Sequence, residues 1–185
     1  MDFELLSQPE AVGSRGGACR HAERRASAAG PSSPQCTIRG TPAAETLLGT
    51  PDDDVICGRG GADRIRARSG DDIVFGGSGN DRIFAGSGGD VVYAGDGQDE
   101  VHGGPGGDRL FGRAGPELLL QGGGGDDRID GGTGNDQCLD GLAGGGDDVI
   151  RGRTGRDVYK ASDRDRVFSA EIYDSACPAT GTPPP

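Results

Sequence analysis

Tryptophan is absent from this sequence, methionine occurs once, histidine twice, and aromatic residues make up only 4%. Hydrophobic residues reach 32%, too few for the thick core of an ordinary domain of this length. No apolar run is long enough to cross a bilayer, and the first 30 residues lack the apolar centre of a secretory signal. A cytosolic chain, a start further upstream or another export signal all remain compatible with that. The cysteines Cys19, Cys36, Cys57, Cys138 and Cys177 form no CxxC, and with His21 and His102 as the only histidines a zinc centre lacks a ligand set. One or two disulfides fit the count better and leave at least one thiol over. HExxH, GxSxG and GxxxxGK[ST] are all missing. The expectation is that the chain is not an enzyme.

With 38 Gly and 11 Pro among 185 residues, such a composition would ordinarily mean disorder. Against that stands a strict period. From Gly76 to Phe111 the chain reads GGSGNDRIF, AGSGGDVVY, AGDGQDEVH, GGPGGDRLF, a repeat of nine that neither a helix nor a single strand produces. A copied and stacked unit does. The frame starts with GTPAAETLL at Gly40 and runs unbroken to Leu120. After one extra residue at Gln121 it resumes as GGGGDDRID and GGTGNDQCL, and after three, Asp140 to Leu142, as AGGGDDVIR and GRTGRDVYK.

Three columns stay in register through the resulting thirteen units. The sixth place is acidic throughout: Glu45, Asp54, Asp63, Asp72, Asp81, Asp90, Asp99, Asp108, Glu117, Asp127, Asp136, Asp148 and Asp157. The eighth holds a residue that can be buried, among them Ile65, Val74, Ile83, Val92, Val101, Leu110, Leu119, Ile129, Cys138 and Ile150. Glycine holds the fourth place from Gly61 to Gly155.

In each unit the first six places suit a turn, and the last three suit a short strand whose middle side chain points inward. Two units then close one flattened coil, and successive coils pair their strands in parallel. The predicted fold class is all-β, a parallel β-roll over residues 36–169, between a disordered leader at 1–35 and a flexible tail at 170–185. Stacked coils set like carboxylates about 4.8 Å apart, and residues 40–160 hold 22 acids against 12 bases, nearly all of the net charge of −11. A hard cation must lie between them. Calcium, which takes six or more oxygens in flexible geometry, suits glycine turns better than magnesium. About five ions would cancel the charge of the repeats.

These units resemble the RTX, or hemolysin-type, calcium-binding nonapeptide GGxGxDxUx. The resemblance implies a calcium-bound β-roll in an extracellular setting, with metal ligands Asp54, Asp63, Asp72, Asp81, Asp90, Asp99, Asp108, Asp127, Asp136, Asp148 and Asp157 joined by turn carbonyls. It also leaves two alternatives: an accessory module of a larger secreted enzyme or toxin, or a metal-independent adhesion-type solenoid. Arg59, Arg68, Arg113 and Arg153 stand where the repeat has its second glycine, which puts those turns in doubt. The tail, PATGTPPP, does not resemble the uncleaved secretion signal of many such proteins.

The ninth place faces outward, so Phe75, Tyr93 and Phe111 should form a row that either stacks upon itself or binds a surface or glycan partner. His102, also in a ninth place, is expected to be solvated. Cys36 and Cys57 lie near one coil apart and are the expected disulfide. Cys138 is expected either as a buried free thiol or paired with Cys177. No nucleic-acid partner is expected for so acidic a chain.

Overall fold

The computed structural model describes residues 35–170 and 172–173; the expected leader, apart from residue 35, and most of the expected tail lie outside these residues. The described part is all-β, without a helix: β1 (Ile38–Arg39), β2 (Thr46–Leu48), β3 (Val55–Gly60), β4 (Arg64–Ser69), β5 (Ile73–Ser78), β6 (Arg82–Ser87), β7 (Val91–Asp96), β8 (Glu100–Pro105), β9 (Arg109–Ala114), β10 (Leu119–Gly124), β11 (Arg128–Thr133), β12 (Leu139–Asp140), β13 (Val149–Thr154), β14 (Val158–Lys160), β15 (Arg166–Phe168) and β16 (Ile172–Tyr173). Odd-numbered strands form one parallel sheet and even-numbered strands the other. The chain therefore winds as a solenoid, one strand per sheet in each coil. Ile65 pairs with Ile83 and Ile83 with Val101, the expected step of two units.

Most strands are six residues long rather than three, because alternation continues across the unit boundary. The seventh and ninth places face out, the eighth faces in, and so does the first place of the next unit. Ala67, Ala85 and Ala94 occupy such first places and are fully buried beside Ile65, Ile83 and Val92. The glycines and alanines at this position are packing residues and not turn material.

The frame differs from expectation in the lower half. Val101 pairs with Leu120, and Gln121 with His102, so the extra residue lies between Glu117 and Leu120. Leu118 and Leu119 both donate their N–H groups to the Asp99 carbonyl, at 2.9 and 3.3 Å, the two-against-one arrangement of a bulge. Leu139, not Cys138, then pairs with Leu120 and with Tyr159. Leu120 and Leu139 join the main core, whereas Leu119 and Cys138 pack in a small second cluster with Val158. Asp140 falls in the outward row beside Gln121 and Lys160.

The second-place arginines keep the turns intact. Arg59, Arg68, Arg113 and Arg153 have φ of 79°, 93°, 83° and 74°, the left-handed backbone that glycine adopts elsewhere, at about 1–2 kcal/mol each. Cys36 and Cys57 are disulfide-bonded, with Cα atoms 5.9 Å apart, which ties the first strand onto β3 and buries Cys57. Cys138 is also disulfide-bonded, not a free thiol; Cys177 lies outside the described residues.

Replacing Leu120 with alanine is expected to cost about 2–5 kcal/mol in urea unfolding, as for a closely packed core leucine. Leu118→Ala, at a partly exposed site, should cost about 0.5 kcal/mol or less. A Leu120→Ala cost as small as that of Leu118→Ala would contradict this placement and favour the simpler frame, in which Leu119 points inward.

Candidate calcium-binding turns

The turns connecting the two sheets stack into two rows. In the first row the N–H of Asp54 donates to Asp72 Oδ1, Asp72 to Asp90, Asp90 to Asp108, Asp108 to Asp127 and Asp127 to Asp148, at 2.7–2.9 Å. In the second row Glu45 donates to Asp63, Asp63 to Asp81 and Asp81 to Asp99, at 2.8–2.9 Å. No such bond joins Asp99 to Glu117, whose carboxyl oxygens are unpartnered among the described residues; the row resumes with Glu117 donating to Asp136 and Asp136 to Asp157, both at 3.2 Å. Each accepting aspartate thus reaches back to the backbone of the coil before it.

Only one oxygen is used in this way. Oδ2 of Asp63, Asp72, Asp81, Asp90, Asp99, Asp108, Asp127, Asp136 and Asp148 is buried and has no hydrogen-bond partner among the described residues. Asp54 differs: its Oδ2 accepts from the Thr50 N–H at 2.7 Å and the Thr50 hydroxyl at 3.0 Å, and the Thr50 backbone bond, the largest influence, holds its pKa low.

Burial, and then neighbouring carboxylates, push Asp81 and Asp108 up to about 7, and Asp90, Asp99, Asp127 and Asp148 up to about 6. Asp63 and Asp72 move the same way. Burial, and then the neighbouring Asp136 carboxyl, drive the Glu117 carboxyl far up.

Backbone oxygens complete the turns. A β-carbon on Gly88 would lie 2.1 Å from the Gly70 carbonyl oxygen, and one on Gly86 1.8 Å from that of Arg68. Glycine at these places lets each turn receive the carbonyls of the preceding coil. The donor set is oxygen throughout, with no nitrogen or sulfur, and no three acidic, histidine or cysteine side chains converge among the described residues. Hard oxygen donors with unsatisfied charge in flexible turns fit calcium.

Two elements of these turns carried weak sequence signals. Fifth-place Asx side chains run a counter-ladder: Asp53 accepts from the Asp71 N–H, Asp71 from Gly89, Asn80 from Gln98, Asp126 from Asp147 and Asn135 from Arg156, at 2.8–3.0 Å. Asp165 ends the first row, accepting from the Asp148 N–H at 3.0 Å and the Ser162 N–H at 2.6 Å. The D-x-U spacing of Asp165 and Val167 is the signal that could have found it.

The profile of the RTX calcium-binding nonapeptide repeat (4 copies) matches residues 39–74, 58–92, 75–110, 119–138 and 142–159, more than half of the chain. The chain belongs to the RTX calcium-binding nonapeptide-repeat family. Comparison with curated proteins finds no match. In this RTX roll the repeats are a structural, calcium-binding module, and the raised carboxyl groups belong to the turn ladders.

The outward rows are self-satisfied. Phe75 stacks on Tyr93 at 5.1 Å and Tyr93 on Phe111 at 5.0 Å, with planes within 14°. The ring faces meet one another along the ladder, which leaves edges outward and does not support a glycan platform on this row. His102 is not simply solvated: it stacks on Phe84 at 4.9 Å and bonds Glu100 at 2.9 Å and Gln121 at 2.8 Å.

The pKa shifts set the sign of the pH response without metal. Folded values above the unfolded value of about 3.9 favour the protonated roll, so that stability is fully present below pH ~3.9 and is lost as pH rises through about 6 to 7. Chelated protein is expected to show more β-structure by circular dichroism at pH 5 than at pH 8. A gain of β-structure with rising pH would contradict this assignment.

Proposed function

We propose that the chain is a calcium-folded RTX roll working in a calcium-rich extracellular setting, with no catalytic role of its own. The observation that carries this reading is the double row of buried carboxyl oxygens left without a partner. Ions held by Asp63, Asp72, Asp81, Asp90, Asp99, Asp108, Asp127, Asp136, Asp148 and Asp157, together with turn carbonyls, would remove the repulsion along both rows. Asp54, already engaged by Thr50, contributes least. Binding energy then becomes folding energy. At ten times its dissociation constant each site adds about 1.4 kcal/mol, so about five sites add ~7 kcal/mol, comparable with a whole domain's stability. Little of the charge survives when calcium is bound, which suits a module that stays extended in low calcium and closes at ~0.1–1 mM, the range of extracellular modules.

Equilibrium dialysis counts the ions directly. Several calcium ions per chain are expected, with magnesium at equal concentration displacing few of them. The double variant Asp90→Asn/Asp108→Asn should bind at least one ion fewer and need several-fold more calcium to fold, whereas Asp163→Asn at an exposed site should match the parent. Stoichiometry unchanged in the double variant would remove these aspartates from the ligand set.

A further inference from the structure

Charge on the outer faces is not distributed as the net charge implies. Along β9, β11, β13 and β15 the outer face of the first sheet carries Arg109, Arg113, Arg128, Arg151, Arg153 and Arg166, all exposed. Asp130 is the one carboxylate in these four strands. Arg109 and Arg128 are direct cross-strand partners, a like-charge pair that destabilises a ladder unless an anion lies against it. The ion pairs among the described residues involve Arg82, His102, Arg153 and Lys160, so neither Arg109 nor Arg128 is neutralised by a carboxylate there. Arg151 lies over Phe168 at 5.6 Å and Arg113 over Tyr93 at 4.5 Å, contacts that hold the guanidinium groups on the face without cancelling their charge.

A groove crosses the same face. Arg113 and Arg153 flank Gly132 in one outward row, and the missing side chain opens a space of about 480 Å³ also lined by Phe111, Asp96, Asp130 and Thr133. Phe111 ends the aromatic ladder, its next partner in the row being Asp130. Arg153 donates from both Nε and Nη2 to Asp130, which fixes the carboxylate in place. The groove thus offers an aromatic ring, a hydroxyl and two carboxylates within a field of arginines.

We propose that this face binds an acidic polysaccharide, with a sugar ring in the groove and its sulfate or carboxylate groups on the arginine rows. A bare chain of phosphates would set its charges against Asp96 and Asp130. A neutral glycan would leave Arg109 and Arg128 unmatched. A sugar bearing both hydroxyl and anionic groups satisfies both: its hydroxyls donate to Asp130 and Asp96, its C–H face packs on the end of the ladder at Phe111, on the side towards Asp130 that no ring covers, and its anions meet guanidinium forks. The proposal rests on the fold and not on the calcium assignment, although ions in the turns would lower the long-range repulsion of an approaching polyanion.

The test is fluorescence anisotropy of a labelled heparin oligosaccharide with the full chain, in whichever of calcium or chelator gives the β spectrum. Saturable binding that weakens with salt is expected, with none to dextran and much weaker binding to polyphosphate. Arg109→Gln/Arg128→Gln should bind at least tenfold more weakly with an unchanged spectrum, while Arg64→Gln/Arg66→Gln on the opposite sheet should stay within twofold. Equal affinity of the Arg109/Arg128 variant and the parent, or no binding by the folded chain, would overturn the site. Polyphosphate binding as tight as heparin binding would overturn the sugar assignment.

Discussion

The ladder aspartates from Asp63 to Asp148 are taken out of water with one oxygen hydrogen-bonded and the other without a partner among the described residues. The used oxygen fixes the coil before it through a backbone N–H, so the contact that positions the turn also brings the charges together. The other oxygen is left buried. A buried carboxylate in that state must be protonated or find a cation. Sheet pairing, the tight glycine turns and the narrow core all presuppose that one of these happens. The raised aspartate pKa values and the affinity for a hard cation are two responses to one constraint.

The remaining interactions are local and repeat from coil to coil. Most of the six-residue strands contribute one large aliphatic residue to the core, with a small first-place residue beside it. Stacked rings reinforce one outer face, and Phe84 with His102 reinforces the other. Such a solenoid gains stability by nearest-neighbour terms, so its ends matter. The Cys36–Cys57 disulfide secures the upper end. Asp165 continues the carboxylate row into a coil where β15 pairs with β13.

The nine-residue period made the parallel roll legible, because aspartate at one place and an aliphatic residue two places later leave few other arrangements. Phase is not legible where residue type carries none. Leu118, Leu119 and Leu120 are equally apolar, so only backbone pairing to Asp99 decides which one turns inward. Glycine at first places reads as turn, although close packing and not positive φ requires a small residue there. The fifth-place ladder was hidden because Asp and Asn in a glycine loop look like ordinary turn residues. His102 looked solvated because its partners, Phe84 and Gln121, lie a full coil away on either side. The Cys36–Cys57 pair was readable, since two cysteines about one coil apart fall on neighbouring coils, Cys36 just before β1 and Cys57 in β3.

If a cation resolves the buried carboxylate rows, calcium by itself should fold the chain. Far-ultraviolet circular dichroism of the chelated protein at pH 7.5, followed through a calcium titration with magnesium as control, tests it most directly. A largely disordered spectrum that converts cooperatively to β with calcium and not with magnesium is expected. A β spectrum that is already complete in chelator and unmoved by calcium would contradict it.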